Sequence, residues 1–258
     1  MGLFDDVMMY SENIGRGIIS GIVTGTVKEN YNKDYPGQVR VELFLGEKGR
    51  NVTGWVSVMS PYAGADHGFY TLPEVGSEVV VAFNMGDRNR PVVIGSLWSD
   101  KNKFPKEAVT EKNTSKQFIT KGGNEIIIDD TQDKQKIIVK TKNGSGIEID
   151  EEKKHIIIHD KDKKNSIEMD SGNGAITITA DKKIILKAGG SEVGTFDGTG
   201  KKVELKSASV SLDASKDLKL KGQTTSLEGT SVKVNGTSSL QVSSSGTTQV
   251  KGTMVKIN

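Results

Sequence analysis

The feature that most constrains this chain is an alternation of apolar and polar residues with period two over residues 116–258. It is visible in "KIIVKTK", "HIIIHD", "SIEMD" and "AITITA". Successive side chains of a strand point to opposite faces, so the pattern predicts strand after strand with no helix between them. Turns such as "TKNGSG" and "DSGNGA" supply the glycines and asparagines that hairpins need. We predict a hairpin-rich upper part to about residue 200 and a short-repeat rod from there to residue 258.

The rod is too poor in apolar groups to fold as one copy. Its aliphatic residues recur at intervals of roughly 6 to 10 residues, which is typical of a stacked repeat. One or two such side chains per repeat cannot offset an ordering cost of about 1.5 kcal/mol per residue. Three identical chains wound around one axis would pair every strand edge between copies. We therefore predict an intertwined homotrimeric β-helix. The aliphatic positions are Val203, Val210, Leu218, Leu227, Val234, Leu240, Val250 and Ile257.

The chain before residue 100 has a different composition. All 5 prolines and both tryptophans lie in the first 105 residues. The strand-like runs "RGIISGIVTGTVKEN", "GQVRVELFLG", "GWVSVMS", "SEVVVAFN" and "PVVIGSLW" are separated by polar turns. Five strands in so short a region predict an OB-type Greek-key barrel over residues 14–98. The polar segment 99–115 is predicted to be a linker.

Residues 1–13 are predicted to form an N-terminal docking arm. Leu3, Phe4, Val7 and Met8 would share one side of a short helix there and are candidates for docking on another protein. At the other end, Met254, Val255 and Ile257 close the chain with apolar side chains. They predict either an end that closes on itself or a docking surface.

Composition excludes several classes of protein. A net charge of +2 argues against a dedicated nucleic-acid binder, which needs clustered lysine and arginine. No apolar run approaches the roughly 20 residues of a membrane-spanning helix, and the first residues do not resemble a secretion signal. We expect that the chain does not enter a secretion pathway through a signal peptide of its own. With no cysteine, the chain offers neither disulfides nor thiolate metal ligands.

Motifs that suggest chemistry are weak. His155 and His159 fall on one strand face, yet the pattern predicts exposed or interchain structural histidines rather than a metal site. The run "DGTGKK" fits a glycine-rich turn better than a phosphate loop, and "DKDKKNS" lacks the central glycine and closing glutamate of a calcium loop. His67 has no evident catalytic partner. We predict no catalytic residue, no metal and no cofactor.

Two alternatives remain open at this point. A carbohydrate-active β-solenoid would need a carboxylate cluster beside aromatic sugar platforms, and the rod has almost no aromatic residues. A nucleic-acid-binding OB domain would need exposed stacking aromatics among basic residues. Phe44, Phe69, Phe83 and Tyr70 are available, but Phe44 and Phe83 stand in apolar strand contexts typical of a core.

Residues 54–98 resemble the OB domain of phage baseplate assembly protein V and of VgrG-type spikes of type VI secretion systems. The resemblance rests on Trp55-Val56, on Leu72-Pro73, and on Gly86-Asp87 followed by Arg90-Pro91. Further matching positions are Ala63, Gly64, Gly68, Val75, Gly76, Glu78, Val79, Val80, Val81, Phe83 and Gly95. The tail of β-repeats matches the family in architecture rather than in motif.

The resemblance implies the trimeric central spike of a contractile injection machine: a phage tail, a tailocin or a type VI-like system. In such machines the barrel sits beneath a baseplate hub, and the β-helix points outward to perforate the target envelope when the sheath contracts. A PAAR-type protein can sharpen the tip. Because this sequence begins almost directly at the barrel and has no lysozyme-like insertion, we expect a separate hub protein and no inherited lytic activity. The resemblance implies synthesis in the bacterial cytoplasm, hub binding through Leu3, Phe4, Val7 and Met8, and a self-closed tip or tip-protein docking at Met254, Val255 and Ile257.

Overall fold

The computed structural model describes residues 18–47 and 49–257, and these are almost entirely β-structure. Among them the only helical segment is one 3-10 turn, Asn84–Gly86. No helix in this described part is long and apolar enough to cross a membrane. The predicted all-β class is therefore confirmed.

The N-terminal strands close into a five-stranded barrel. Its strands are β1 (Ile22–Glu29), β2 (Gln38–Leu43), β3 (Val56–Val58), β6 (Glu78–Phe83) and β7 (Pro91–Leu97). They are ordered β1-β2-β3-β7-β6, and β6 pairs antiparallel with β1 to complete the ring. All pairs are antiparallel except β3 with β7, which is parallel. Between β3 and β6 lies a two-stranded ribbon of β4 (Ala63–Gly64) and β5 (His67–Gly68).

The barrel core is built almost entirely from valine. Alternate positions of the strands point inward, as period two requires, and small β-branched side chains fill a narrow barrel. The buried cluster is Val23, Val27, Val39, Val41, Val56, Val79, Val81, Phe83 and Val93. The one strongly charged group at its edge, Glu42, is satisfied by an ion pair with Lys28 at 3.0 Å and by the N–H of Gly49 at 2.7 Å.

After the barrel the chain forms a seven-stranded antiparallel meander. Its strands are β8 (Ser115–Ile119), β9 (Glu125–Asp129), β10 (Lys136–Lys140), β11 (Gly146–Asp150), β12 (His155–His159), β13 (Ser166–Asp170) and β14 (Ala175–Thr179). Each strand pairs with its neighbour in sequence. Among the described residues, the sheet contacts the barrel where the rings of Phe69 and Phe118 meet edge to face at 6.2 Å and where Lys121 pairs with Glu74 at 3.4 Å.

A separate three-stranded sheet follows, of β15 (Lys183–Ala188), β16 (Ser191–Asp197) and β17 (Lys202–Leu205). Of the described residues beyond Leu205, none belongs to a strand, and every residue from 207 to 257 is exposed. The strands predicted there, such as "LKLKG" and "VKVNG", are not formed within a single chain.

The structure corrects several details of the sequence prediction. All five barrel strands and eight strands between residues 125 and 205 form where expected. The ribbon β4–β5 and the strands β8 and β16 were not predicted. The segments "SKQFI" and "SEVGTFD" carry few apolar residues; β8 forms at the edge of its sheet and β16 between two partner strands. Phe83 is buried as expected, whereas the expectation for Phe44 was wrong: it follows the end of β2 and is 56% exposed.

Candidate functional site: the two faces of the seven-stranded sheet

One face of the seven-stranded sheet carries two unbroken apolar ladders. Cross-strand register places Ile128 opposite Ile137, Ile149 opposite Ile156, and Met169 opposite Ile176. A parallel row joins Phe118 to Ile126, and it continues to the last strand of the sheet. The complete ladders are Ile128, Ile137, Ile149, Ile156, Met169, Ile176 and, beside them, Phe118, Ile126, Val139, Ile147, Ile158, Ile167, Ile178. We call these residues the apolar face.

The apolar face is open to solvent in the single chain. All of its side chains except Ile149 are exposed, and Ile137 and Ile158 are 45% and 50% exposed. A globular protein rarely leaves so large a contiguous aliphatic surface uncovered, since each Å² of apolar area returned to water costs about 25 cal/mol. The sheet is therefore built to pack against something further.

The opposite face carries the charged side chains of the sheet, and we call it the charged face. Its apolar members are Ile127, Ile138 and Ile157. Lys136 lies 2.8 Å from Asp150, and Lys140 lies 3.0 Å from Glu125 on the next strand. Opposite charges directly across an antiparallel pair stabilise the sheet by a few tenths to about 1 kcal/mol. These pairs satisfy charged groups within the face, and its isoleucines are half-buried beside them.

Asp150 is the most buried group of the charged face, with a side chain that is 0% exposed. Burial alone would raise its pKa. The hydrogen bond from Lys136 and the N–H of Lys153 at 2.9 Å outweigh burial and hold the pKa of this carboxyl well below its usual range. The same contact raises the pKa of Lys136. The side chain also caps the turn between β11 and β12.

Carboxylates at strand ends cap other turns in the same way. Asp129 accepts the N–H and the hydroxyl of Thr131, and these bonds lower its pKa. The carboxylate of Asp170 accepts from the side chain and N–H of Asn173, and its pKa is lowered as well. These aspartates are the final residues of β9, β11 and β13, so they lie at the same end of alternate strands. Sequence reasoning missed them, although their spacing of about 20 residues was a visible signal.

His155 lies inside the charged face and not on an exposed surface. Its side chain is 16% exposed, with Nδ1 at 3.2 Å from Glu168 and Nε2 at 3.6 Å from Glu148. Glu148, Asp150 and His155 bring potential ligand atoms within 4.8 Å of one another. Ammonium groups already occupy this cluster, because Lys136 and Lys153 lie 2.8 and 3.4 Å from Asp150. The geometry is that of an ion-pair network.

The other residues singled out from the sequence are dispersed. His67 is exposed, with Nδ1 at 2.7 Å from the carbonyl of Ala65 and its ring tilted against Tyr62. His159 shares the charged face with His155. Met254, Val255 and Ile257 are exposed, at the end of the segment without strands. The predicted hub-binding residues Leu3, Phe4, Val7 and Met8 lie outside the described residues.

Comparison with known proteins identifies the barrel. Residues 23–98 match the family model of the type VI secretion system/phage-baseplate injector OB domain. The barrel is similar to this domain. The resemblance seen in residues 54–98 is confirmed, and it covers the closed barrel from β1 to β7.

Relatives of the chain extend the likeness beyond the barrel. It is 31% identical over 163 residues to the type VI secretion system spike protein VgrG5 of Pseudomonas aeruginosa, an alignment of 60% of this chain and 20% of that protein. It is 32% identical to VgrG2a of the same organism over 42% of this chain and 14% of the relative, and 28% identical to VgrG3 of Vibrio cholerae over 42% and 11%. The chain spans about a fifth of the length of the relatives first matched. A VgrG-like spike is thus the class of protein it resembles.

Proposed function

We propose that this chain is the trimeric central spike of a contractile injection machine: a phage tail, a tailocin or a type VI-like system. In this role it caps the tail tube at the baseplate hub and perforates the target envelope when the sheath contracts. The observation that carries the proposal is the apolar face, which follows directly on a baseplate-type OB barrel. The spike works mechanically, without catalysis and without nucleic acid.

A trimer would cover the apolar face and pair the backbone groups that remain exposed in a single chain. Around a threefold axis each apolar face turns inward and meets the faces of two partners, as in the core of any packed sheet. The same axis brings the strandless segment 206–257 beside two copies of itself, so that its backbone groups pair between chains. Two copies could cover the apolar face but would give that segment a single neighbour and leave one edge open.

A rod of this kind is suited to axial load. Unravelling one chain would require breaking ladder hydrogen bonds to both partners at the same time, and the charged face would remain in water. A separate hub protein would grip the barrel end. A PAAR-type tip protein would dock on Met254, Val255 and Ile257, whose side chains are exposed. Deleting residues 254–258 should then abolish capture of that tip protein.

Solution mass tests the assembly. Light scattering of the purified full chain should give three times 27.8 kDa, and small-angle X-ray scattering should give a long, thin profile. A monomer or a dimer would contradict the proposal.

Position in the cell tests the function itself. In the bacterium that makes the protein, gold-labelled antibody should mark the tips of contractile particles in electron micrographs. Label spread through the cytoplasm, with particle tips unmarked, would contradict a spike even if the protein were a trimer.

A further inference from the structure

A groove on the barrel concentrates the arginines of this chain. The groove has a volume of about 650 Å³ and is lined by Arg50, Arg88 and Arg90 among other residues. These are three of only five arginines in the sequence, against 30 lysines. No aspartate or glutamate lies among its described lining residues. In a chain whose net charge is only +2, this is a local excess of positive charge.

Apolar side chains line the groove among polar ones. Ile19, Leu43 and Phe83 line it, and Trp55 borders it with one ring face stacked against Tyr35 at 6.1 Å. A surface that combines aliphatic side chains with guanidinium groups fits a peptide whose acidic and apolar residues alternate. In the extended form of such a peptide, successive side chains point to opposite sides. The apolar set can then contact the aliphatic side chains of the groove while the acidic set contacts the guanidinium groups.

The arginines of the groove make few ion pairs with other residues of the chain. Arg50 makes one exposed ion pair, with Glu47 at 3.1 Å. Within the described residues, the guanidinium groups of Arg88 and Arg90 form no ion pair. Both belong to the loop fixed by the bond from the Asn84 N–H to the Arg90 carbonyl, at 3.0 Å. Guanidinium groups bind carboxylates through paired hydrogen bonds, which lysine cannot reproduce.

The groove also lies where the chain enters the barrel. Ile18 forms a bridge with Asp87, and the N–H of Ile19 donates to the carbonyl of Gly86 at 2.8 Å. The first described residues therefore run beside the loop that carries Arg88 and Arg90. We propose that this groove binds an acidic, apolar, extended segment of a partner protein. The inference deepens the proposed function, on which it rests, by giving the hub contact a place and a chemistry.

A nucleic acid is the weaker candidate for the same groove. Three arginines neutralise few phosphates, and Trp55 already has an aromatic neighbour on one face. Binding of single-stranded DNA therefore serves as an opposing outcome of the test.

The experiment uses the full chain and fluorescein-labelled peptides, read by fluorescence anisotropy. The probes are octapeptides that alternate glutamate with leucine, glutamine with leucine, or glutamate with serine. We expect the glutamate–leucine peptide to bind about tenfold more tightly than either other peptide, and to weaken as salt is raised. Equal binding of all three peptides, or tighter binding of a labelled dT12 oligonucleotide, would overturn the proposal.

Variants locate the site. Arg88→Gln with Arg90→Gln should lose about tenfold in affinity, and Arg88→Lys with Arg90→Lys should lose part of it. Lys101→Gln with Lys103→Gln removes the same charge from exposed positions outside the groove and should bind like the parent. An equal loss of peptide affinity in this control variant would show that the peptide does not bind in the groove.

Light scattering of each variant separates the two proposals. A trimer that does not bind the glutamate–leucine peptide contradicts only the proposal that the groove binds a partner segment. A monomer that binds this peptide contradicts only the proposal of a trimeric spike.

Discussion

At the scale of single residues, Gly25 shows how a barrel strand can depend on the absence of a side chain. It stands opposite Leu43 on one side and Val79 on the other, in the middle of β1. A Cβ placed there would lie 2.6 Å from the carbonyl oxygen of Glu42 and 2.6 Å from a methyl of Val41. Neither can move without shifting β2, so the glycine sets how closely the two strands cross the barrel.

Gly25→Ala should destabilise the barrel by about 2 kcal/mol, because overpacking a tight interior costs about 1 to 3 kcal/mol. Thermal unfolding followed by circular dichroism measures the change. Gly95→Ala is the matched control, since Gly95 lies in β7 without a positive φ, and a Cβ added there would meet nothing within 4 Å. Equal melting temperatures for the two variants would refute the role given to Gly25.

Asp150 illustrates a buried charge that stabilises a turn and a strand pair together. Its folded-state pKa is lowered, so its contribution is complete above the unfolded value near 3.8 and is lost progressively as pH falls from there through the folded value. Asp150→Asn should cost about 2 kcal/mol at neutral pH, the scale of hydrogen bonds to charged groups. This deficit in the free energy of unfolding should persist at about pH 4. It should shrink in stronger acid, because Asp150 of the parent protein then becomes protonated and loses its charged contacts.

Urea unfolding at neutral pH, at about pH 4 and at about pH 2 measures this deficit. Asp162→Asn is the control, because Asp162 is exposed and its nearest ammonium, on Lys161, is 4.0 Å away. A deficit that stayed the same from neutral pH to about pH 2 would show that the Asp150 pKa is not lowered.

At the scale of elements, most strands of the seven-stranded sheet could be predicted from the sequence. A period of two indicates where a strand occurs and which of its side chains share a face. Ile156 and Ile158 lie on one face of β12, and His155 and His159 lie on the other, as alternation requires. What sequence could not give is which residues meet across strands. His155 meets Glu168 and Glu148 only because of hairpin register, which each turn sets separately. Strand β8 was missed because it is formed by pairing and not by its own composition.

The last strand of the seven-stranded sheet provides a direct test of the apolar face. Ile176 and Thr177 are neighbours on opposite faces of β14, and both are exposed in the single chain. Ile176→Glu places a charge where partner chains would pack and should convert the trimer to a monomer in light scattering, because burying an unpaired carboxylate is prohibitively costly. Thr177→Glu should leave the mass unchanged. Loss of the trimer in both variants, or in neither, would contradict assembly through the apolar face.

At the scale of the whole molecule, the chain joins a region that folds alone to one that does not. The barrel has a closed ladder and a buried core, whereas residues 207–257 have neither. Their aliphatic side chains remain exposed, among them Leu212, Leu220 and Val242 at 65%, 65% and 76%. Without partners, this segment lacks the buried area needed to offset its ordering cost of about 1.5 kcal/mol per residue. Its order must come from assembly.

Trypsin measures that order in the final assembly. Lysines recur along the segment at 206, 216, 219, 221, 233, 251 and 256. In a trimer these sites lie on paired strands that a protease cannot bind in extended form, so trypsin should cut the exposed linker at Lys101 and Lys103 and leave the fragment beyond Lys206 intact. The Ile176→Glu variant, as a monomer, should be cut throughout this segment under the same conditions. Rapid cleavage at these lysines in a parent protein of trimeric mass would show that the segment does not pair between chains, and would confine the assembly to the seven-stranded sheet.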